Sequence, residues 1–347
     1  MNTGEAALDW LYREQLRVDP EWSVKTSNGF RWWPDQHAQT IEVTGRETGP
    51  GGEEGWWISV RTEVVRLPQL RDEHLEPIRD LLMMPASMAG PAYHAENGTL
   101  ELASLVRVHE GNASWMRPLI GLAAMLQVLE ARNAGPLLAE ALGAEEAWSA
   151  PQGRPPRETP DELVTGVPLM ILAHALGGSP WQGPELKQLG QREASAPPAL
   201  LATGDERSLT VEFPFGDESS LCRFRADVSH PLYGPGLLVA QTFPVMTRNE
   251  VEGLRRALQL NERELTRQPW GYGYGSYMHL DDFLHFICFL PALAHRPGLL
   301  AMLYYACAVR AAMVARHFTG RDWDASSFGV ERTGVARFLN LLRNRLN

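Results

Sequence analysis

The residues best suited to chemistry by type and spacing are His279, Asp281, Asp282 and His285, imidazoles and carboxylates of the kind that ligate a divalent metal. Their setting argues against convergence. With Asp281-Asp282 as the two-residue turn of a hairpin, His279 faces Leu284 across it, while His285 lies on the opposite side of the sheet. No metal site is expected. Gly271, Gly273 and Gly275 alternate with Tyr272 and Tyr274, yet no clear strand precedes them and a hairpin follows, so a dinucleotide-binding phosphate cradle is not expected either. His174 and His317 fall on apolar helical stretches and read as core or boundary histidines. The chain has no Gly-x-Ser-x-Gly elbow, Walker loop, His-Glu-x-x-His word or paired-cysteine zinc pattern. The expectation is a protein without catalytic residues, cofactor or metal.

The elements that would hold these residues come in two similar sets. Phe30-Arg31-Trp32-Trp33-Pro34 is answered by Thr210-Val211-Glu212-Phe213-Pro214, and at the same offset of 180 Thr62 matches Thr242 and Val65 matches Val245. Each echo leads into a long apolar strand, residues 56–67 and 236–246. An amphipathic helix, a hairpin (93–106; 277–290), an Arg-Pro pair (Arg117-Pro118; Arg296-Pro297) and a long apolar helix then follow in both copies. Repetition at a fixed offset is the signature of a duplicated unit.

Local patterns fill in each set. Leu8, Leu11, Tyr12 and Leu16 give an amphipathic helix over 5–18 that stops near Pro20. Strands are predicted over 30–33, 39–44 and 56–66, with a flexible turn over 49–55. In the third, Trp56, Ile58, Val60, Thr62 and Val64 share one face, while Trp57, Ser59, Arg61 and Glu63 share the wetter one. A short helix carries Leu75, Ile78, Leu81 and Leu82. Its counterpart, with Val251, Leu254, Ala257 and Leu258 on one stripe, is predicted to start at a capping box from Thr247 to Glu250. The hairpins turn at Glu96-Asn97-Gly98 and at Asp281-Asp282. Each Arg-Pro proline suits a first helical turn. The fold class is α+β, two tandem α-β-β-β-α-β-β-α modules over 1–145 and 161–320. A Pro-rich exposed linker over 146–160 separates them, and a helical tail over 321–347 follows. Residues 163–176 are assigned as the leading helix of the second module.

Composition narrows the class further. The chain has 347 residues, 44% hydrophobic and 21% charged, with a formal charge of −10. That balance opposes a general nucleic-acid binder, which needs clustered Lys and Arg. Only two lysines occur, Lys25 and Lys187, and arginine supplies the rest of the basic charge. Seven arginines from Arg310 onward, against Asp322, Asp324 and Glu331, read as a solvated helical face. Cys222, Cys288 and Cys307 are odd in number and set in apolar runs, as buried free thiols in a reducing compartment would be. The first ten residues lack signal-peptide blocks, and Pro291, Pro297 and Gly298 break the most apolar stretch, 286–309. The expectation is a cytoplasmic protein with no membrane and no nucleic-acid partner.

The words Phe289-Leu290-Pro291 and Arg296-Pro297-Gly298-Leu299-Leu300, between a hairpin and a long apolar helix, resemble the C-terminal region of YbjN-like proteins. That family shares the fold of small type III secretion chaperones. The resemblance implies modules that hold extended segments of client proteins, and a chain whose halves imitate a chaperone dimer. Eleven tryptophans agree with a binding surface. The candidate partner-binding residues are Trp32, Trp33, Trp56, Trp57, Trp270, Tyr272 and Tyr274. The expected function is non-catalytic protein or peptide binding. Two alternatives stand beside it: an adaptor of a bacterial secretion or defence system with one dedicated client, and an enzyme with a dispersed site in the cleft between modules.

Overall fold

The computed structural model of the chain describes residues 2–48, 54–194 and 199–319. The expected C-terminal tail, and most of the turn expected over 49–55, lie outside the described residues.

Helix α1 (Thr3–Trp10) opens with a capping box: Asn2 Oδ1 accepts from Glu5 N at 2.9 Å and Glu5 Oε2 from Asn2 N at 3.1 Å. It continues as a π-helical turn, Leu11–Gln15. Strands β1 (Ser23–Lys25), β2 (Gly29–Trp32), β3 (Gln39–Thr48) and β4 (Glu54–Arg66) pair antiparallel in succession. Helix α2 (Leu75–Ile78), with a π turn over Arg79–Met83, leads to the hairpin of β5 (Gly90–His94) and β6 (Thr99–Val108). Strand β6 docks on β4, so the sheet order is β1-β2-β3-β4-β6-β5. The long helix α3 (Ala113–Leu142) packs on β4 and β6, and the short β7 (Glu145–Glu146) pairs with the end of β4.

The second half repeats this plan. Helices α4 (Glu162–Leu176) and α5 (Pro184–Glu193) precede β8 (Leu201–Gly204), β9 (Ser208–Phe215), β10 (Glu218–His230) and β11 (Gly234–Met246). Helix α6 (Glu250–Glu262) ends in a π turn over Arg263–Arg267. The hairpin of β12 (Ser276–Leu280) and β13 (Phe283–Pro291) and the helix α7 (Leu299–Thr319) complete the set. Read from β8, the order is β8-β9-β10-β11-β13-β12, the order of the first sheet. Even the irregularities recur. One break in register lies between the third and fourth strands of each sheet (Val43/Gly45; Arg225/Val228), and another against the hairpin (Glu63/Val65; Phe243/Met246). The chain is therefore α+β, built as two similar antiparallel modules.

The structural repeat runs one residue out of step with the sequence echo. Thr62 faces the core opposite Leu102 and bonds to Gln39 and Gln127, whereas Thr242 pairs with His285 on the outer face. The interior counterpart of Thr62 is Gln241, which is paired with the buried Phe286. Likewise Phe30 and Trp32 point inward in one sheet and Val211 and Phe213 in the other. A slip of one position moves a strand side chain to the opposite face, so the matched threonines are not structural equivalents.

Three further expectations need correction. Pro118 lies inside α3, which starts earlier, at Ala113; Pro297 does precede α7. The cap of α6 is Asn249, whose Oδ1 accepts from Glu252 N at 2.9 Å, because Thr247 Oγ1 is engaged with His279 Nε2 at 2.9 Å. An additional helix, α5, stands between α4 and the sheet and packs on β8, β9 and α7, whereas α1 packs on β3, β4 and α3. Helix α4 instead reaches α3 and β11, crossing from one half to the other.

The halves meet where β5 and β12 adjoin. Helix α6 lies over β5 of the first half as well as β12 of its own, and Arg79–Glu250 and Arg255–Asp72 ion pairs flank the seam. A single apolar cluster runs through both modules. The linker is largely exposed, yet it is stapled to the first module: Arg157 Nη1 donates to Trp33 O at 3.0 Å, and Asp161 N to Pro34 O at 2.7 Å.

Candidate protein-binding surface

Five of the seven aromatic residues expected to meet a partner are buried, so that expectation is corrected for Trp32, Trp33, Trp270, Tyr272 and Tyr274. Each has an internal role. Trp32 Nε1 donates to Gln39 Oε1 at 2.9 Å beneath α3, and Trp33 Nε1 donates to Ser149 Oγ at 3.0 Å, fastening the linker. The glycine-aromatic loop is a wedge between the modules. Tyr272 meets Trp115 edge to face at 5.8 Å, and Tyr274 O–H approaches Met116 Sδ at 3.6 Å. The intervening Gly273 has φ +64, and a Cβ there would overlap the carbonyl of Leu105. Tyr272 and Tyr274 therefore bury area against the other half of the same chain, while Trp270 packs beside Arg263 and His317 of its own half.

Trp56 and Trp57 are partly buried. Trp56 lies against Gly4 of α1, and Trp57 Nε1 donates to Glu47 Oε2 at 3.3 Å. Trp57 also walls a cavity of about 860 Å³ between the halves, together with Arg256, Arg263, Arg267 and His317. Among the described residues that line it, arginines dominate and Glu262 is the one carboxylate. Among the described lining residues His317 is the one imidazole, and burial and the neighbouring Arg263 lower its proton affinity.

The histidine-aspartate cluster is arranged as the hairpin geometry dictates. His279 pairs with Leu284, and His285 with Thr242 and Met278 on the opposite face. Asp281 and Asp282 form the turn at φ +50 and +66. Among the described residues no group of three His, Cys, Asp or Glu side chains is placed to hold a metal ion. Cys222, Cys288 and Cys307 are buried free thiols. Of the described helices α7 alone has the length and apolarity to cross a bilayer, and most of it is packed inside the second module.

A surface that the aromatic pattern did not reveal lies on α4. Between Leu163 and Leu176 this helix carries no charged residue, yet only Val164, Val167 and Ile171 are buried. Leu169, Met170, Leu172 and Leu176 are exposed, Leu176 at 82% and Leu169 at 68%. Ala175 packs against Gly234, which brings the exposed Leu232 of the same turn toward the end of this face. A helix apolar on all sides is normally sunk in a core, and contiguous exposed apolar area on a folded chain marks an interaction site. The sequence held the signal in the uncharged run itself; periodicity could not say which sides would be covered.

Two polar nodes lie beneath these surfaces. Glu130 of α3 accepts from Ser87 Oγ at 3.0 Å and from the Tyr233 hydroxyl of the other half. Burial pushes the Glu130 carboxyl up to about 7, and the two hydrogen bonds pull it back only in part. His230, stacked on Tyr233 at 4.4 Å, holds Pro85 O with Nε2 at 2.6 Å and accepts two backbone N–H bonds at Nδ1; burial lowers its proton affinity. The second node is the ion pair of Glu264 and Arg310, inside the second module. Comparison with protein-family models, curated proteins and solved structures finds no match.

Proposed function

We propose that this chain is a non-catalytic binding protein, two chaperone-like modules fused as a pseudo-dimer, that holds another polypeptide against the exposed face of α4. One observation carries the reading: a helix without Asp, Glu, Lys or Arg from Leu163 to Leu176, with Leu169, Met170, Leu172 and Leu176 turned outward. Full burial of such side chains contributes about 1.5–3 kcal/mol each, enough in sum to offset much of the cost of association. The matching sheet orders support the pseudo-dimer, as does the resemblance to YbjN-like proteins. The arginine-lined cleft gives less support to the enzyme alternative. Three free thiols fit a cytoplasmic setting, and the acidic balance fits a protein client better than nucleic acid.

The test is affinity capture with the tagged full chain and a Leu169→Ser/Leu172→Ser/Leu176→Ser variant. The wild type is expected to retain one or more client proteins that the variant loses while its melting curve stays unchanged. One dominant client would favour the dedicated-adaptor form of the reading, and many would favour a general chaperone. An identical set of captured proteins from both would remove α4 from the account.

A further inference from the structure

The two modules differ sharply at the tips of their hairpins. In the first, Arg66, Thr99 and His94 are successive cross-strand partners on the last rungs of β4, β6 and β5. In the second, the corresponding rungs carry Met246, Phe283 and Leu280. Directly opposed side chains have Cβ atoms about 4.5–5.5 Å apart, so these three make a continuous apolar strip. Met246 is 72% exposed, Phe283 and Leu280 38% each. The fold does not require apolar groups here, since the first module closes the same rungs with Arg, Thr and His.

The turn adds a second departure. A two-residue turn with positive φ at both positions favours Asn-Gly; the first hairpin uses a longer connection between His94 and Thr99, with Gly98 at φ +61. The second instead holds two exposed carboxylates, Asp281 and Asp282, in left-handed backbone, against the preference of a residue with a Cβ. Of the basic groups nearby, Arg248 follows Met246 by two residues, and the His285 ring is tied to Thr242 and to Leu280 O.

We propose that this tip is a docking surface for a polypeptide segment whose apolar side chains alternate with Lys or Arg. The strip of Met246, Phe283 and Leu280 takes the apolar side chains, and Asp281 with Asp282 takes the cations. The surface does not include α4 and stands whether or not the α4 reading does.

The experiment is fluorescence anisotropy of the full chain with labelled decapeptides of alternating Leu-Lys, Leu-Glu and Ser-Lys. Leu-Lys is expected to bind at least about ten-fold more tightly than either control. Met246→Arg/Leu280→His/Phe283→Thr writes the first module's residues onto the same rungs, and should weaken Leu-Lys binding about ten-fold. Asp281→Asn/Asp282→Gly suits the turn, and should weaken binding several-fold while removing most of its salt dependence. Melting curves establish that both variants are folded, and the α4 triple variant should bind the peptide as the wild type does. Equal binding of the three peptides, or no change in the rung variant, overturns the proposal. So does self-association in sedimentation that the rung variant abolishes, because the strip would then be an interface between copies.

Discussion

Arg310 of α7 and Glu264 of the π turn after α6 form a forked ion pair sealed inside the second module. Nη2 lies 2.7 Å from Oε1, Nε lies 3.1 Å from both carboxylate oxygens, and neither side chain is more than 3% exposed. Tyr277 O–H donates to Glu264 Oε2 at 2.6 Å, and the guanidinium sits 3.5 Å from the Phe286 ring centroid. The first module fills the crossing of long helix and sheet with neutral groups: Gln127 donates to Ser104 Oγ and Val60 O and accepts from Thr62. One architecture thus tolerates either an amide network or a buried charge pair.

Removing one member of the pair leaves the other charged and without a counter-ion, which typically costs about 3–5 kcal/mol. Arg310→Met should therefore lower unfolding free energy by that order in urea titration. Arg310→Met/Glu264→Gln should recover much of the loss, because Tyr277 keeps an acceptor and no lone charge remains. A double variant as unstable as the single one would show that packing, rather than charge, governs this node.

Gly273 and Gly143 provide a matched test of the seam. Both have positive φ, +64 and +59, but a Cβ on Gly143 meets nothing within 4 Å, while one on Gly273 runs into Leu105. Gly143→Ala should cost about 1–2 kcal/mol, the left-handed penalty alone. Gly273→Ala adds a backbone collision at the junction and should cost clearly more. Comparable melting temperatures for the two variants would contradict the tight approach of the wedge to the first half.

The sequence made some of this legible because local rules decide it. Alternation in residues 56–66, Gly98, and the Asp281-Asp282 turn act within a few residues, and the division into two similar α+β halves followed from repeating the pattern. Register did not, since Thr62 and Thr242 match in type while facing opposite ways. The loop at 270–274 reads equally well as a contact surface or as mortar; only the position of Trp115 and Leu105, far away in sequence, selects the second. The pairing of Glu264 with Arg310 is similarly a product of tertiary packing. Helix α4 shows the reverse case, an apolar run that the fold leaves uncovered.

Stability should depend on pH through the Glu130 node. Its folded carboxyl titrates at about 7, against 4.5 for an ordinary one, so the folded state holds a proton that the unfolded chain releases between these values. Stability from this group is full below 4.5, declines as pH rises to about 7, and is flat above; the upper limit is about 3 kcal/mol. His230, and His37, which burial lowers to about 4, act oppositely, losing stability as pH falls below 6.5. Glu130→Gln should flatten the decline toward neutral pH, leaving the smaller contributions of Glu63, raised by burial, and His94, raised by Glu101, and should leave the acid limb. Parallel melting-temperature profiles for variant and wild type would contradict this assignment.

The buried aromatics and α4 make opposite predictions under truncation, and this separates scaffold from surface. Trp33 and Tyr272 are 5% exposed, so Trp33→Ala and Tyr272→Ala should each destabilise by about 3–5 kcal/mol through the cavity left behind. Any loss of partner binding in those variants would then track the unfolded fraction and recover on cooling or with a stabilising osmolyte. Leu169→Ser and Leu172→Ser remove atoms that already face water and should change stability by less than about 0.5 kcal/mol. Their effect on binding should persist in the fully folded protein. Denaturant titration beside capture at two temperatures distinguishes the cases. If Tyr272→Ala kept wild-type stability while losing the client, the loop would be a contact surface after all, and the wedge would have to open when the partner arrives.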